Sequence, residues 1–318
     1  MSKIKILALA GGVGGAKLAH GLSHRLGDAL AVVVNTGDDF EHLGWHVSPD
    51  IDTVVYTLAG LANRVQGWGL ENETWQFMDQ LARLGGPQWF KLGDRDLATH
   101  AYRTQRLREG ATLTKVTEEL FAALGTRSRI FPMCDEAVRT TIQSGVTSYG
   151  FQEYFVALAC SVPVTGISYQ GIESAQINPF LKDLDPPDAI IICPSNPYLS
   201  IDPILGIPGF REWLRRSGKP VVAVSPIVGG AAIKGPAAKI MGELNVPVSA
   251  ASIARHYRGL IDGLVIDYAD SALAAEIERS GIPVHVTSSV MKSVDDRIAL
   301  ADECVEFANR IVGSNSDA

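Results

Sequence analysis

The stretch IKILALAGGVGGAKLAHGLSHRLGDALAVVVN (residues 4–35) contains the elements of a strand–helix–strand unit. Residues 4–10 form an apolar run of strand length, a glycine-rich turn follows, and residues 15–26 have a helical pattern. Residues 29–35 are a β-branched run of the kind found in buried parallel strands. The stretch therefore predicts a βαβ crossover, which is a building block of α/β proteins.

The same alternation returns toward the C-terminus. Further apolar runs of strand length lie at residues 189–193, 220–225, 263–266 and 283–287. Helical patterns lie at residues 211–217, 237–244 and 295–312. We therefore expect an α/β fold with a doubly wound, Rossmann-like, mostly parallel sheet, built from residues 1–66 and 185–318.

The middle of the chain has a different pattern. Residues 68–124 are mostly helical in pattern, and residues 129–169 alternate like short antiparallel strands. We interpret residues 67–184 as a largely helical inserted subdomain that caps the core, so that both parts form one composite catalytic unit. The polar segment at residues 313–318 is expected to be unstructured.

The composition excludes several classes of protein. The chain has 318 residues, 46% of them hydrophobic, and a net charge of −7, which suits a sizeable core and disfavours nucleic acid as a partner. Its four cysteines are widely spaced, which is typical of free thiols in a reducing compartment. No apolar run approaches the roughly 20 residues of a membrane span. These features predict a cytoplasmic protein without a membrane partner.

The turn AGGVGGAK (residues 10–17) is a candidate phosphate site, because glycines let the backbone approach phosphate oxygens at a helix N-terminus. Counted from Gly12, the dinucleotide fingerprint GxGxxG would require glycine or alanine where Lys17 stands. The P-loop pattern GxxxxGK[ST] also fails, because Ala16 precedes Lys17 and Leu18 follows it. A tight turn without any ligand remains the alternative.

An acidic loop, NTGDDFEHLGWHVSPDIDTVVYTLAG (residues 35–60), follows the second predicted strand. Carboxylates that converge beside phosphates favour Mg²⁺, which shares its coordination between acids and phosphate oxygens. Turn formation and helix capping would explain one or two of these acids. His42 and His46 are compatible with zinc, but no HExxH motif or cysteine cluster accompanies them. The aspartates of the loop are Asp38, Asp39, Asp50 and Asp52.

The stretch KLGDRDLATH (residues 91–100) is rich in charge. Lys91 and Arg95 are suited to neutralising phosphates, and Asp94 and Asp96 are suited to binding hydroxyl groups or orienting the arginine. A surface network of charges is the alternative interpretation.

Two more loops follow predicted strands. CPSNPYLSIDPILGIPG (residues 193–209) presents Ser195 and Asn196 between prolines, and SPIVGGAAIKGPAAK (residues 225–239) is a second glycine-rich turn with lysines nearby. Either loop alone could be an ordinary turn. Two glycine-rich turns after different strands favour a ligand whose phosphates extend across the sheet edge.

Several stretches of the chain together resemble one family, the 2-phospho-L-lactate transferases of deazaflavin coenzyme (F-420) biosynthesis. The resemblance covers most of residues 6–236. It implies transfer of a phospholactyl-type group from a guanosine diphosphate ester to the ribityl hydroxyl of the deazaflavin Fo, with release of GMP and a requirement for Mg²⁺. It also implies a homodimer. The stretches are GGVGGAK, NTGDD, SPDIDTVVYTLAG, WGLENETW, KLGDRDLATH, SNPYLSIDPILGIPG and SPIVGG, in family order.

The resemblance also implies roles for single residues. Mg²⁺ is expected on Asp38 and Asp52, with Asp39 and Asp50 as further candidates, or Asp52 acts as base toward the ribityl hydroxyl. Lys91 is expected to contact Fo or a phosphate, which makes it a catalytic candidate together with Asp52 and Asp38. Trp45, Trp68 or Trp89 would line an apolar slot for the ring, or belong to the core. The expected substrate contacts are Gly12, Val13, Gly14, Asp50, Asp94, Arg95, Ser195, Asn196, Ser225 and Gly229.

Two other functions are compatible with such a fold. An NAD-dependent or nucleotide-sugar oxidoreductase would carry GxGxxG and a lone ribose-binding acid, and the sequence has neither. A non-catalytic nucleotide-binding regulator would keep the glycine loops and lose the acids, so the aspartates of residues 35–60 argue against it. No residue in the sequence chooses among lactyl, enolpyruvyl and glyceryl donors.

Overall fold

A seven-stranded parallel sheet forms the centre of the protein. The computed structural model describes residues 4–182 and 184–316. The strands of this sheet are β1 (Ile6–Ala10), β2 (Leu30–Val34), β3 (Arg129–Pro132), β4 (Ala189–Ile192), β5 (Val221–Val224), β6 (Gly263–Asp267) and β7 (Val284–Thr287). Their spatial order β7-β6-β5-β4-β1-β2-β3 is that of a doubly wound sheet, with a switch point between β1 and β4.

Helices cover both faces of this sheet. Along β1, Ile6, Ala8 and Ala10 pack into one core, and Leu7 and Leu9 pack into the other. Burial of both faces explains why the strands are near-continuous apolar runs. The Rossmann-like α/β fold predicted from the sequence is confirmed.

The helices are α1 (Gly12–Leu26), α2 (Pro49–Leu58), α3 (Gln76–Arg83), α4 (Asp94–Arg108), α5 (Leu113–Ala123), α6 (Pro179–Lys182), α7 (Asp202–Gly206), α8 (Phe210–Arg216), α9 (Ala237–Glu243), α10 (Ala250–His256), α11 (Ala274–Glu278) and α12 (Val294–Ser316). The core that contains Ile6 lies beneath α1, α2, α5 and α12, and the core that contains Leu7 lies beneath α7 to α11.

Strand β3 differs from the prediction. Residues 129–169 were expected to form antiparallel strands, but β3 pairs in parallel with β2 at the edge of the main sheet. The antiparallel pattern holds farther along, where Arg139–Ser144 pairs with Thr147–Gly150 and with Gly166–Gln170. One strand of the range predicted as an insertion, residues 67–184, thus lies in the main sheet. The division into core and cap itself stays a prediction.

Helix α12 continues through Ser316, so the expectation of an unstructured tail was wrong for residues 313–316. Residues 317–318 lie outside the described part of the chain. Two short antiparallel ribbons complete the fold, Phe40–His42 with Trp45–Val47 and Ile227–Val228 with Ala231–Ala232. Within the described ranges, no helix combines the length and the apolar character needed to cross a bilayer.

Candidate active site

The glycine turn after β1 packs directly against the loop after β4, at the switch point of the sheet. A Cβ atom on Gly14 would lie 2.4 Å from the carbonyl oxygen of Pro194, and one on Gly15 would lie 2.4 Å from Ser195 Oγ. The backbone N–H of Gly11 donates a hydrogen bond to Ser195 Oγ at 3.1 Å. The contact between these two loops requires glycine at these positions, because a larger residue would force the loops apart.

A carboxylate occupies the N-terminus of α1. The backbone N–H of Gly12 donates to Asp50 Oδ1 at 2.8 Å, and Asn35 Nδ2 donates to Asp50 Oδ2 at 3.0 Å. Burial raises the pKa of Asp50 to about 6, although these two hydrogen bonds favour its charged form. The positive end of the helix dipole also favours an anion at this position.

Asp38 and Asp39 lie close enough to Asp50 for the charges of the three carboxylates to interact. Asp38 is 5% exposed, and its Oδ1 has no hydrogen-bond partner among the described residues. Burial and the charge of Asp50 raise the pKa of Asp38 well above its usual range. Asp39 Oδ2 accepts from the Ser48 hydroxyl at 2.7 Å and lies 3.0 Å from His46 Nε2. Its Oδ1 is buried, with no hydrogen-bond partner in the described part of the chain. We call Asp38, Asp39 and Asp50 the acidic group.

Asp52 belongs to a different network. Arg103, which is 0% exposed, contacts both carboxylate oxygens of Asp52, with one hydrogen bond of 3.2 Å to Oδ2. His100 lies between Asp52 and Asp96, at 3.7 Å from the first and 3.4 Å from the second. The Tyr56 hydroxyl donates to Asp96 at 2.6 Å. Burial raises the pKa of Asp52, and the charge of Arg103 opposes this effect.

Arg103 and His100 were not among the site residues predicted from the sequence. With Asp96, they have the spacing of i, i+4 and i+7, which places three polar side chains on one face of α4. That pattern was available in the sequence, but nothing in it identified Asp52 as the partner.

The two networks differ in their fit to a metal ion. Ligand atoms of Asp52, Asp96 and His100 lie within 4.8 Å of one another, but a guanidinium already neutralises Asp52, and imidazole is not a ligand that Mg²⁺ prefers. The acidic group offers only oxygen ligands, and two of these oxygens are buried with no hydrogen-bond partner in residues 4–182 and 184–316. Its donor set therefore suits Mg²⁺ better, with phosphate oxygens completing the coordination. The predicted pair Asp38 and Asp52 is divided between the networks, and the metal assignment stays a prediction.

Two side chains of the charged stretch at residues 91–100 form hydrogen bonds with neighbouring protein groups. Asp94 accepts from the Thr74 hydroxyl and from the first two backbone N–H groups of α3, and these hydrogen bonds lower its pKa. Arg95 donates to the carbonyl oxygen of Glu71 at 2.7 Å. Lys91 is exposed. The structure thus gives Asp94 and Arg95 local roles, and substrate contacts for all three remain predictions.

The loops predicted to bind the nucleotide differ in the polar groups they leave available. Ser225 Oγ both donates to and accepts from the backbone of Ile227, and the N–H of Gly229 donates to Asp270 at 3.0 Å. In contrast, Asn196 Nδ2 is buried without a hydrogen-bond partner among the described residues. Of these groups, the amide of Asn196 has a donor to offer a ligand.

The three candidate tryptophans have different surroundings. Trp89 is 37% exposed and stacks edge-on against His42, with 5.2 Å between ring centroids. Trp68 is 44% exposed. Trp45 is half-buried and packs against Phe77, with 5.5 Å between centroids. Trp68 and Trp89 therefore have ring surface that a ligand can contact.

Residues 6–302 match the family described as 2-phospho-L-lactate transferase CofD. The chain belongs to this family. The match confirms the resemblance inferred from the motifs and their order over most of residues 6–236.

Named relatives of the family cover almost the whole chain. A phosphoenolpyruvate transferase of Streptomyces griseus subsp. griseus is 42% identical over 97% of this chain and 99% of its own length. A 2-phospho-L-lactate transferase of Methanosarcina mazei is 37% identical over 95% of this chain and 99% of its own length. Both names describe transferases, which supports transferase activity in this member of the family.

A crystal structure of a UPF0052 family protein from Bacillus halodurans has a similar fold. The TM-score is 0.61 at 13% identity, with 96% of this chain and 99% of that chain covered. At this identity the likeness concerns the fold alone, and it agrees with the Rossmann-like sheet of this CofD family member.

Proposed function

We propose that this protein transfers a phospholactyl-type group (lactyl, enolpyruvyl or glyceryl phosphate) from a guanosine diphosphate ester to the ribityl hydroxyl of the deazaflavin Fo, and releases GMP. Such a reaction serves coenzyme F-420 biosynthesis. The observation that carries this proposal is the buried acidic group against the N-terminus of α1, in a chain of the CofD family.

The reaction makes one bond and breaks one bond. The ribityl oxygen attacks the phosphorus that carries the three-carbon unit, and the bond from that phosphorus to the bridging oxygen breaks. GMP leaves with the bridging oxygen and its electron pair, and the hydroxyl proton passes to a base. Positioning and neutralisation of charge account for most of the catalysis in reactions of this kind.

We assign Asp50 as the acceptor of the hydroxyl proton. Its pKa of about 6 leaves it ionised at neutral pH and close enough to that pH to accept a proton. The resemblance suggested Asp52 for this role. Both aspartates accept hydrogen bonds, but the positive charge of Arg103 beside Asp52 favours its ionised form and makes it the weaker base, so we assign Asp50 instead.

The acidic group would hold Mg²⁺ through Asp38 and Asp39, whose buried Oδ1 atoms have no hydrogen-bond partner among the described residues. When bound, Mg²⁺ would neutralise charge on the diphosphate. Asn196 would donate from its free amide to the guanine nucleotide. Lys91 would contact Fo or a phosphate, and the exposed ring of Trp89 would stack on the deazaflavin.

The direct test measures GMP release. The protein is incubated with Fo, Mg²⁺ and each of the three donor esters in turn, and nucleotide products are separated by chromatography. We expect GMP with at least one donor and a matching phosphodiester of Fo. If all three donors leave GMP at the level of a reaction without enzyme, the transferase proposal fails and a nucleotide-binding regulator becomes the better interpretation.

We further propose that the protein is cytoplasmic and forms a homodimer. Light scattering on the purified protein would test the dimer. A molecular mass of one chain, 34.1 kDa, would contradict the dimer.

A further inference from the structure

Asp39 of the acidic group is held through one of its two carboxylate oxygens. His46 Nε2 and the Ser48 hydroxyl both reach Oδ2, at 3.0 Å and 2.7 Å, while Oδ1 is buried and has no hydrogen-bond partner among the residues that the structure describes. The Asp39 side chain is 1% exposed, so bulk water does not hydrate Oδ1. Burial of an unpaired carboxylate oxygen costs free energy unless a ligand binds it.

The hydroxyl of Ser48 is diverted from its usual role. Ser48 is the N-cap residue of α2, where a serine side chain normally accepts a hydrogen bond from a backbone N–H of the first helical turn. Within the described chain this hydroxyl makes no capping bond and donates to Asp39 instead. The start of α2 thus forgoes a favourable cap, and the hydroxyl serves to hold the carboxylate.

The backbone of His46 is fixed by α4. Its N–H donates to the Thr104 hydroxyl oxygen at 2.7 Å, and its carbonyl oxygen accepts from Arg103 Nη1 at 3.4 Å. The Thr104 hydroxyl in turn donates to the carbonyl oxygen of His100 at 2.7 Å, which orients Thr104 to accept from His46. The imidazole is therefore carried by a backbone that is bonded on both sides, and its position beside Asp39 is set by the packing of α4.

This geometry gives His46 a role other than zinc binding. A carboxylate accepts hydrogen bonds and donates none, so Nε2 carries the hydrogen in the contact with Asp39. A ring nitrogen that donates its hydrogen has no lone pair to offer a metal at the same time. Hydrogen bonds to one oxygen of a carboxylate are, however, the contacts by which proteins orient a metal-binding carboxylate.

We propose that His46 and Ser48 are positioning residues: they hold Asp39 through Oδ2, so that Oδ1 is fixed in place as a ligand for the metal ion of the acidic group. The inference deepens the proposed function and rests on it for the identity of the ion, Mg²⁺. In this role both residues act through Asp39 and neither contacts the ion. Removal of either donor lets the carboxylate rotate, so that the ligand is no longer preorganised and the ion binds more weakly.

The test measures binding of Mn²⁺ alone, from the electron paramagnetic resonance signal of the free ion. Mn²⁺ is suited to the same oxygen ligands as Mg²⁺. We expect Mn²⁺ affinity to fall about tenfold in His46→Leu and in Ser48→Ala, the usual effect of losing a hydrogen bond to a metal ligand. His46→Gln should recover most of the affinity, because its amide supplies an N–H donor in place of Nε2.

Two matched controls separate this effect from general ones. His24→Leu removes an exposed histidine from α1, and Thr112→Ala removes the N-cap threonine of α5, which accepts from the backbone N–H of Lys115 at 3.2 Å. Both variants should bind Mn²⁺ as wild type does. Thr112→Ala should nevertheless lower the urea midpoint of unfolding, because it removes a helix cap, so it shows whether lost stability alone changes the affinity.

A double variant tests whether His46 acts through Asp39. Asp39→Asn should weaken Mn²⁺ binding, because the ligand itself loses its charge. His46→Leu combined with Asp39→Asn should add no further loss, since two residues that act through one contact do not have additive effects. Circular dichroism establishes that each variant is folded, and Ser48→Ala, which removes only a hydroxyl, keeps the test valid if His46→Leu does not fold.

Four outcomes would overturn the proposal: no Mn²⁺ binding to wild type, wild-type affinity in both His46→Leu and Ser48→Ala, equal losses in His46→Leu and His46→Gln, or additive losses in the double variant. Binding of Mn²⁺ needs no turnover, so this result is independent of the GMP assay. Weakened Mn²⁺ binding in the variants, with no GMP release by wild type, would retain the positioning role and reject the transferase. GMP release with unchanged Mn²⁺ affinity in the variants would reject only the positioning role.

Discussion

The guanidinium of Arg103 contacts both carboxylate oxygens of Asp52 inside the protein, where the two side chains are 0% and 7% exposed. The partners are 51 residues apart in sequence, and they join α4 to α2. A buried pair of this kind contributes little compared with an apolar pair, but removal of one partner leaves an uncompensated charge in the core. Asp52 therefore has a structural role whether or not it also serves catalysis.

We predict that Arg103→Met lowers the free energy of unfolding by about 3–5 kcal/mol. The double variant Asp52→Asn with Arg103→Met should recover part of this loss, because it removes both charges. Urea unfolding of the two single variants and the double variant gives the coupling free energy. A loss below about 1 kcal/mol in Arg103→Met, the value typical of an exposed pair, would contradict burial of this contact.

The pKa of Asp50 predicts a dependence of stability on pH. Its folded-state pKa is raised from 3.8 to about 6, so the folded protein holds this proton more tightly than the unfolded chain does. The resulting stability is fully present below about pH 4 and is lost as the pH rises through about 6, with a size on the order of 3 kcal/mol.

Asp50→Asn removes this titration, so its unfolding free energy should depend less on pH between about 4 and 6.5 than that of wild type. Urea unfolding at several pH values measures both slopes. The comparison concerns slopes, because the amide also changes the hydrogen bond with Asn35. Parallel slopes would show that Asp50 titrates normally in the folded protein.

The acidic group predicts that activity requires Mg²⁺ and that loss of one of its charges weakens Mg²⁺ binding. Asp38→Asn should raise the Mg²⁺ concentration for half-maximal GMP release by at least about tenfold, because one hard oxygen ligand loses its charge. Asp79→Asn, at an exposed position on α3, is the matched control and should behave as wild type. An unchanged Mg²⁺ requirement in Asp38→Asn would remove Asp38 from the metal site.

The exposed ring of Trp89 predicts that its removal weakens binding of the acceptor Fo and leaves binding of the donor unchanged. Trp89→Ala should raise the KM for Fo by about tenfold, the effect of one lost stacking contact, with the KM for the donor unchanged. Tyr268→Ala removes another exposed ring, 64% exposed, and serves as the control. If the donor KM rises as much as the Fo KM, the variant has disturbed the whole site rather than a ring slot.

Most of the sheet was predictable because each core strand is buried on both faces and therefore appears in the sequence as an uninterrupted apolar run. Strand β3 was not, because its four residues RIFP are short and begin with an exposed arginine. Nothing local distinguishes them from the antiparallel strands that follow. Only pairing with β2, far away in sequence, determines their direction.

The site was predictable to the level of loops. The glycine turn and the aspartate loop had to converge, because parallel strands end at one edge of the sheet. The division of the aspartates was not predictable, because Asp50 and Asp52 differ by their partners, Gly12 for one and Arg103 for the other. Those partners depend on the packing of α1 and α4 against α2 rather than on local sequence.

The close contact of Gly14 and Gly15 with Pro194 and Ser195 has a mechanical consequence. Close-packed backbone transmits displacement with little loss. The turn after β1 and the loop after β4 must therefore move together. If a nucleotide binds Asn196 as proposed, its binding would also displace the start of α1 and the Asp50 carboxylate that accepts from Gly12 there. Binding at the β4 loop would thus change the position of Asp50, the proposed proton acceptor, although the two groups belong to different loops.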